Sequence, residues 1–433
     1  MANADSKPKL RVAIIGAGPA GLGAAIEFQK LPFVDLRIYD QARELREVGA
    51  GISIQRNTWR MLDALGVYDN IDRDSSVFSA ADGHSVQHRN GRTGELLQSS
   101  GQQHTPPRHK HARALRSVLQ QALLKAVHKT KLRLSSRLVE ICELPNKTLS
   151  LRFEDGHVDE VDLLVGADGV RSVVRQFSFP DHRIGYTGTT AFRALVNAKD
   201  ILSIPSFPDA VTFWHGPTRW VYTCNLNKGI YEVTARTDLP ETRETVSWGQ
   251  DASPDEFIGL YKDFAPMIQE VLSKVGEVRK FPLFAGPRLS KVVSHGSIAL
   301  IGDASHPLSG AFGAGAGFAL EDAYVLARAV TWAHERDLPV SNALTLYDKV
   351  RSPHYKDMYD ILDGFRRADA SIKGLSSFDE IVVANVQSKW TDDHDWLYHY
   401  NIQEVWKKAY EEEDARRIQK INGTKEGHVH SRL

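Results

Sequence analysis

Cysteine is almost missing from this chain: Cys142 and Cys224 are the only two in 433 residues. Two distant thiols cannot build a disulfide framework or a zinc site, and the seventeen histidines are scattered rather than set at ligand spacing. No metal centre is expected. An excess of one charge is missing too, with Lys plus Arg and Asp plus Glu at 54 each. Neither bulk charge nor a basic stripe interleaved with aromatics points to nucleic acid or an anionic membrane. No apolar run approaches the ~20 residues of a membrane span. The opening MANADSKPKLRVAIIG lacks the apolar stretch and cleavage site of a secretory signal, so a cytoplasmic protein is expected. The remaining composition, 42% hydrophobic and 25% charged, is that of a globular protein long enough for two cores.

What the chain does have is glycine in telling places. Leu10 to Ile15 reads as a buried strand and runs into Gly16-Ala-Gly18-Pro-Ala-Gly21, then into the helical LGAAIEFQK. Gly16 permits a tight turn, Gly18 lets backbone approach a phosphate, and Gly21 lets helix pack on strand. The helix N-terminus then offers free N–H groups to a pyrophosphate. A second strand, Val34 to Tyr39, ends on Asp40, at the distance expected of the acid that hydrogen-bonds an adenosine ribose. Dinucleotide binding follows from this order; the choice between NAD and FAD does not.

Two downstream segments have similar form. Strand DLLV feeds Gly166-Ala-Asp168-Gly-Val-Arg-Ser172, and strand SIALI ends on Gly302-Asp303-Ala-Ser-His-Pro307, followed by Phe312-Gly-Ala-Gly315-Ala316-Gly317 and a helix from Ala319 to Trp332. A helix start there offers free N–H groups and the positive end of a dipole to a ligand carrying negative charge. With GAGPAG, these segments resemble the FAD-dependent aromatic hydroxylases, the single-component group that includes salicylate hydroxylase and the fungal polyketide hydroxylases.

The resemblance covers most of residues 8–375 and implies FAD as cofactor, with NADPH or NADH as transient reductant. It places Gly51 and Ser53, after Gly49 and Ala50, in a second flavin loop. Arg116 leads a helix toward the cofactor, with Arg113 as the alternative one turn away. It makes Asp168 the residue that fixes the second loop and offers Arg175 to a pyridine nucleotide. Asp303 becomes the acceptor for ribityl hydroxyls, which are costly to bury unpaired, and Gly315 and Ala316 face the flavin ring. Arg351 matches the family's arginine on the long helix LTLYDKVRSPHYKDMYDILDGF. One departure stands out: Gly310 occupies a position where many relatives have proline.

Between Tyr186 and Pro287, period-two alternation in TGTTAFRALV, AVTFWHG, RWVYTCNL and GIYEVTART predicts an antiparallel sheet, with residues 253–280 as helices behind it. The expected fold is α/β: a Rossmann-like FAD-binding domain with an inserted antiparallel β-sheet substrate domain and a C-terminal helical segment. The expected boundaries are 1–178 and 287–375 for the FAD domain, 179–286 for the substrate sheet and 376–433 for the last segment, with its final residues frayed.

In the family, a reduced flavin takes up O2 and its C4a hydroperoxide hydroxylates an electron-rich ring, so the protein must bind a phenol as phenolate. Arg193 would hold the phenolate oxygen and Tyr222 would hydrogen-bond it, a pair resembling that of the dearomatising fungal enzymes. Tyr231 is the alternative tyrosine, and His215 an outside candidate. The expected partner is a phenolic small molecule, hydroxylated ortho to its oxygen, with dearomatisation of a resorcinol-type polyketide aldehyde in secondary metabolism as the favoured outcome. A decarboxylating hydroxylase of the salicylate type and a flavin oxidase or dehydrogenase without oxygen insertion are the alternatives. The aromatic-rich chain end suits docking on the body or a homodimer contact.

Overall fold

The computed structural model describes residues 8–45, 51–79, 84–101, 105–242, 249–308, 310–390 and 396–429. Gly49 and Ala50 of the second flavin loop lie outside them.

Leu10–Ile15 sits inside a six-stranded sheet. Val12, Ile14 and Ile15 are buried there because helices and a three-stranded antiparallel sheet (Leu138–Glu143, Leu149–Phe153, Val158–Val161) pack on it, the latter through Phe153 against Tyr39 (4.3 Å). The strand pairs in parallel with Val34–Tyr39 on one side and with Leu163–Gly166 on the other. Ile298–Leu300 adds in parallel beyond Leu163–Gly166. Val293–Ser294 and Leu132–Arg133 form the two edges. Strands from the beginning, middle and later part of the chain therefore lie side by side. The winding reverses at Leu10–Ile15, and parallel sheets bind ligands beyond the carboxyl ends of their strands at such a reversal.

The helix Pro19–Phe28 packs against the helix Gly315–Glu335, where a β-carbon on Gly23 would stand 2.7 Å from the Leu320 side chain. The later helix starts at Gly315 rather than at Ala319, which carries its N-terminus closer to the reversal point.

A second, eight-stranded sheet runs in the order Gln250–Ala252, Val278–Ala285, Gly185–Asn197, Ile230–Asp238, Trp220–Asn225, Thr212–His215, His84–Asn90, Leu96–Gly101. It is antiparallel except where Thr212–His215 pairs in parallel with His84–Asn90. Those last two strands come from the stretch assigned by sequence to the first part of the FAD domain. Hydrogen bonding puts them in the substrate sheet. Behind the sheet, residues 253–280 form short 3-10 turns and the helix Pro266–Ser273 before the chain returns as a strand at Val278. Phe192, Trp214, Tyr231 and Val233 of the back face pack on Ile268, Val271 and Leu272 of that helix. A small sheet of Gly51–Ile54, Ala112–Leu115 and Val77–Phe78 joins the two layers.

The C-terminal segment is helical: Val340–Ser371, Phe378–Lys389, Trp396–His399 and Ile402–Val429. The last of these runs to Val429, where the sequence suggested fraying. Leu397, Ile402 and Trp406 enter the main core, and Asp414 accepts hydrogen bonds from the Trp332 indole (3.0 Å) and the Arg336 Nε (2.8 Å). This segment docks on the body. Among the described residues no helix is long and apolar enough to cross a membrane.

Candidate active site

The three glycines of the first loop differ in what surrounds them. Gly16 has φ +102°, and a β-carbon there would lie 2.3 Å from the Ala167 carbonyl oxygen. At Gly21 it would lie 1.8 Å from the Gly16 carbonyl oxygen. At Gly18 it would meet nothing within 4 Å. Two of the glycines therefore close the turn and the helix contact, and the third faces open space where a pyrophosphate can approach. Asp40 reaches back to the loop, accepting from the Ala17 N–H (2.6 Å) and the Ala42 N–H (2.7 Å). Its oxygens keep further lone pairs for a ribose. Gly21→Ala is expected to yield no folded protein. Gly18→Ala should leave apoprotein unfolding unchanged while weakening FAD binding about tenfold or more, since displaced phosphate contacts of ~1.4 kcal/mol suffice. Thermal scans of apoprotein and FAD titrations check this; a Gly18→Ala protein with full FAD affinity contradicts it.

The other two loops converge on the first. The Ile301 N–H donates to the Gly166 carbonyl (2.9 Å), and a β-carbon on Gly302 would stand 2.8 Å from the Ala20 side chain. Asp168 fixes its own loop, accepting from the Ser172 hydroxyl (2.5 Å) and from the N–H groups of Val173 (2.8 Å) and Val174 (3.2 Å). Arg175 is buried, and its guanidinium donates to the carbonyls of Val170, Asp303 and Ala304. It is a staple between the second and third loops, so the expectation that it meets a pyridine nucleotide is corrected.

Asp303 is different. It is exposed, and among the described residues its carboxylate has no hydrogen-bond partner. A β-carbon on Gly315, at the start of the helix Gly315–Glu335, would lie 3.9 Å from it. Surrounding protein pushes its carboxyl up from the ordinary value, against the pull of His306, Arg116 and Arg175. An unpaired acceptor beside a helix start fits a polyol chain leading to a flavin ring. The site's residues thus fit FAD at both ends. Gly310 has φ +76°, which proline cannot adopt, so this loop follows a backbone path of its own.

Behind the third loop lies a buried charge network that sequence reasoning missed apart from Arg351. Asp322 accepts from the Gly302 N–H (2.8 Å), His306 Nε2 (2.8 Å), Arg351 Nε (2.8 Å) and the Tyr355 hydroxyl (2.5 Å). Burial pushes its carboxyl up, but Arg351 and His306 outweigh that and hold it far below the ordinary range. Glu321 also pairs with Arg351 (3.1 Å) and accepts from Asn57 (3.1 Å). An acidic pair inside an otherwise largely apolar helix was the available signal.

The strand register settles which side chains share a face. Arg193 pairs with Thr234, Thr234 with Tyr222, and Tyr222 with Phe213. Directly paired residues share a face, so Arg193 and Tyr222 stand on either side of a small threonine, two strand spacings or roughly 10 Å apart. Tyr231, at the opposite parity from Glu232, packs on the back face against Phe207 and Trp214. Tyr222 is therefore the tyrosine on the Arg193 face. His215, also on this face, contacts His88 (2.9 Å) and lies among Phe213 and Trp390.

Glu232 ties this face to the cofactor side. It forms a buried ion pair with Arg113, which also donates to the Ser53 hydroxyl (2.9 Å). Gly51 is glycine because the pair fills its side-chain space: a β-carbon would lie 2.2 Å from the Glu232 carboxylate. Arg113 is thereby committed, whereas Arg116 interacts with both Asp303 and Arg193. Arg193 itself is half-buried, lies over the Phe281 ring (5.1 Å) and makes no hydrogen bond or ion pair among the described residues. Burial lowers its affinity for the proton, Glu232 restores some, and Arg116 and Arg113 lower it further. Arg236, diagonal to it, lies over Trp220 (5.4 Å) and is likewise unpaired.

Residues 9–361 match the family described as FAD binding domain. The chain is 29% identical over 361 residues to 3-amino-4-hydroxybenzoate 2-monooxygenase of Streptomyces platensis, covering 82% of this chain and 87% of that one. It is 27% identical over 426 residues to salicylate hydroxylase of Pseudomonas putida, covering 90% and 93%. A solved salicylate hydroxylase substrate complex superposes with a TM-score of 0.77 at 22% identity, over 93% of this chain and 98% of that one. The chain belongs to the FAD-dependent aromatic hydroxylases, and it is an FAD-dependent aromatic monooxygenase.

Proposed function

We propose that the protein hydroxylates a phenol carrying a second acidic group, using FAD, O2 and a reduced pyridine nucleotide, NADPH or NADH. The reading is carried by one observation: two half-buried guanidinium groups, Arg193 and Arg236, stand unpaired on the sheet face that also presents Tyr222. Unpaired buried cations are costly, and anionic ligand groups offset that cost. The two relatives named above are named for hydroxylated or salicylate-type aromatic acids, which agrees with this charge pattern.

FAD would lie along Gly18, Asp40, Asp303, Gly315 and Ala316, and when reduced it supplies the activated oxygen. The chain's own residues do the rest. Arg193 favours the ionised form of the phenol, which makes the ortho carbon nucleophilic. Tyr222, whose hydroxyl burial holds protonated, donates a hydrogen bond to the same oxygen and fixes the ring above Thr234. Arg236 takes the acidic substituent. The substituent on the attacked carbon then decides the product: hydrogen gives a catechol, carboxyl leaves as CO2, and alkyl leaves a dearomatised ketol, as with a resorcinol-type polyketide. Residues 179–286, now joined by 84–101, make up the substrate unit, and the rest the cofactor unit with its helical appendage.

The experiment is a screen of hydroxybenzoates and orcinol-type aldehydes for stimulated NAD(P)H oxidation, with product mass recorded under 18O2. Arg193→Ala is expected to lower kcat/KM about 100-fold or more, the effect of losing a charge-assisted bond of ~3 kcal/mol. Tyr222→Phe should lower it about tenfold. Both proteins should remain yellow. Normal turnover in both would remove the assignment, and a product without the heavy isotope would make the protein an oxidase.

A further inference from the structure

We propose that Trp390, which belongs to neither sheet, sets the size of the aromatic system this enzyme accepts; the inference rests on the phenol-binding reading above. Trp390 follows the helix Phe378–Lys389 in the C-terminal segment. Its ring stacks on His88 with centroids 4.6 Å apart, lies 5.9 Å from Phe213 and meets Phe312 edge-on at 5.5 Å. Phe213 in turn stands 4.8 Å from Tyr222. A line of rings, Phe312, Trp390, Phe213 and Tyr222, therefore runs from the glycine loop beside the cofactor site to the slot above Thr234.

Two features give this line more than a packing role. Trp390 and Phe213 are only half-buried. Solvent-accessible ring surface beside other rings suits a further planar ring, by stacking or edge contact. Phe312 also has φ +54°, a left-handed conformation that a side chain adopts only when its surroundings enforce it. Its carbonyl accepts from the Tyr398 hydroxyl (3.2 Å) and the Gln55 amide (3.4 Å), and its ring is held by Phe365 and Trp390. Trp390 thus touches the loop that borders the cofactor and the wall that borders the substrate. Removing its bulk opens space between that wall and that loop and loosens the loop at once.

The test uses the FAD-loaded full chain and matched probes of one and two rings, 3-hydroxybenzoate and a hydroxynaphthoate. In Trp390→Ala the ratio of kcat/KM for the two-ring over the one-ring probe should rise about tenfold or more, as expected when a wall excluding several carbons is removed. Product formed per NAD(P)H consumed on the one-ring probe should fall by about half or more, because a small misplacement of ring or loop costs much of the reaction. Trp390→Phe, which keeps a smaller aromatic wall, should fall between the original protein and Trp390→Ala in both readouts. A folded, yellow Trp390→Ala protein with unchanged ratio and unchanged coupling would overturn the proposal. If that variant does not fold, Trp390→Leu carries the same comparison. Should the original protein convert no phenol at all, the phenol-hydroxylase reading fails by itself. Titration of the flavin absorbance with benzoate and 2-naphthoate then tests Trp390 alone: a shifted affinity ratio in the variant supports it, an unshifted one overturns it.

Discussion

Asp303→Ala is expected to purify colourless, with FAD affinity reduced about 100- to 10,000-fold. The range follows from two hydrogen bonds to a charged acceptor at ~1.5–3 kcal/mol each, with ~1.4 kcal/mol per factor of ten. The apoprotein, by contrast, should become more stable. In it the exposed side chain has no hydrogen-bond partner among the described residues, and desolvation by the surrounding protein raises its proton affinity above the ordinary value. A raised folded-state value means that the penalty is absent below the ordinary carboxylate range and grows as pH rises through the raised value. Apoprotein unfolding followed from acid to neutral pH should therefore lose stability across that window in the original chain and not in Asp303→Asn. Affinity and apo-stability moving in opposite directions is the signature of a group kept for a ligand. If Asp303→Ala binds FAD tightly, or lowers apoprotein stability, the carboxylate has another job.

The parts of this design that could be read in the sequence are those fixed by local backbone chemistry. Gly16, Gly18 and Gly21 follow a β-branched run at set spacing, so turn, approach and packing are legible from the string alone. The same holds for Asp168 before Ser172 and for Asp303 after SIALI. What stayed hidden depends on pairing between distant strands. Residues 84–101 carry alternation too weak to say which sheet they join, and their partner Thr212–His215 is more than a hundred residues away in sequence. Tyr222 and Tyr231 could not be separated by composition; only the register with Thr234 assigns their faces. The Arg113–Glu232 pair explains why Gly51 is glycine, yet nothing near Gly51 in sequence announces either partner. Trp390 sits in a helical tail whose pattern says only that it docks.

The buried network around Asp322 supplies the second large effect. Asp322→Ala is expected to destabilise the protein by about 3–5 kcal/mol, the usual consequence of removing one member of a buried ion pair. It leaves the fully buried Arg351 guanidinium with Glu321 but without its Asp322 partner, and leaves the Gly302 N–H, His306 and the Tyr355 hydroxyl without this acceptor. At ~2 °C per kcal/mol for a large chain, the unfolding midpoint should fall by roughly 6–10 °C. Arg351→Met should cost a similar amount. The double variant should cost clearly less than the sum, because each change removes the reason the other is harmful. Additive losses in that cycle would mean that the two charges do not act as a pair. The pH dependence adds a second readout. A depressed folded-state value means that Asp322 stabilises the fold above the ordinary carboxylate value of ~3.9, and that this stability is lost only as pH falls below it toward the folded value. The Asp322→Asn protein should lose that part of the acid sensitivity. Because the Gly302 N–H hangs on this carboxylate and Asp303 is the next residue, the same variants should release FAD more readily, even where they remain folded. A folded Asp322→Asn protein that keeps FAD as tightly as the original chain would show that the loop holds its shape without the charge beneath it.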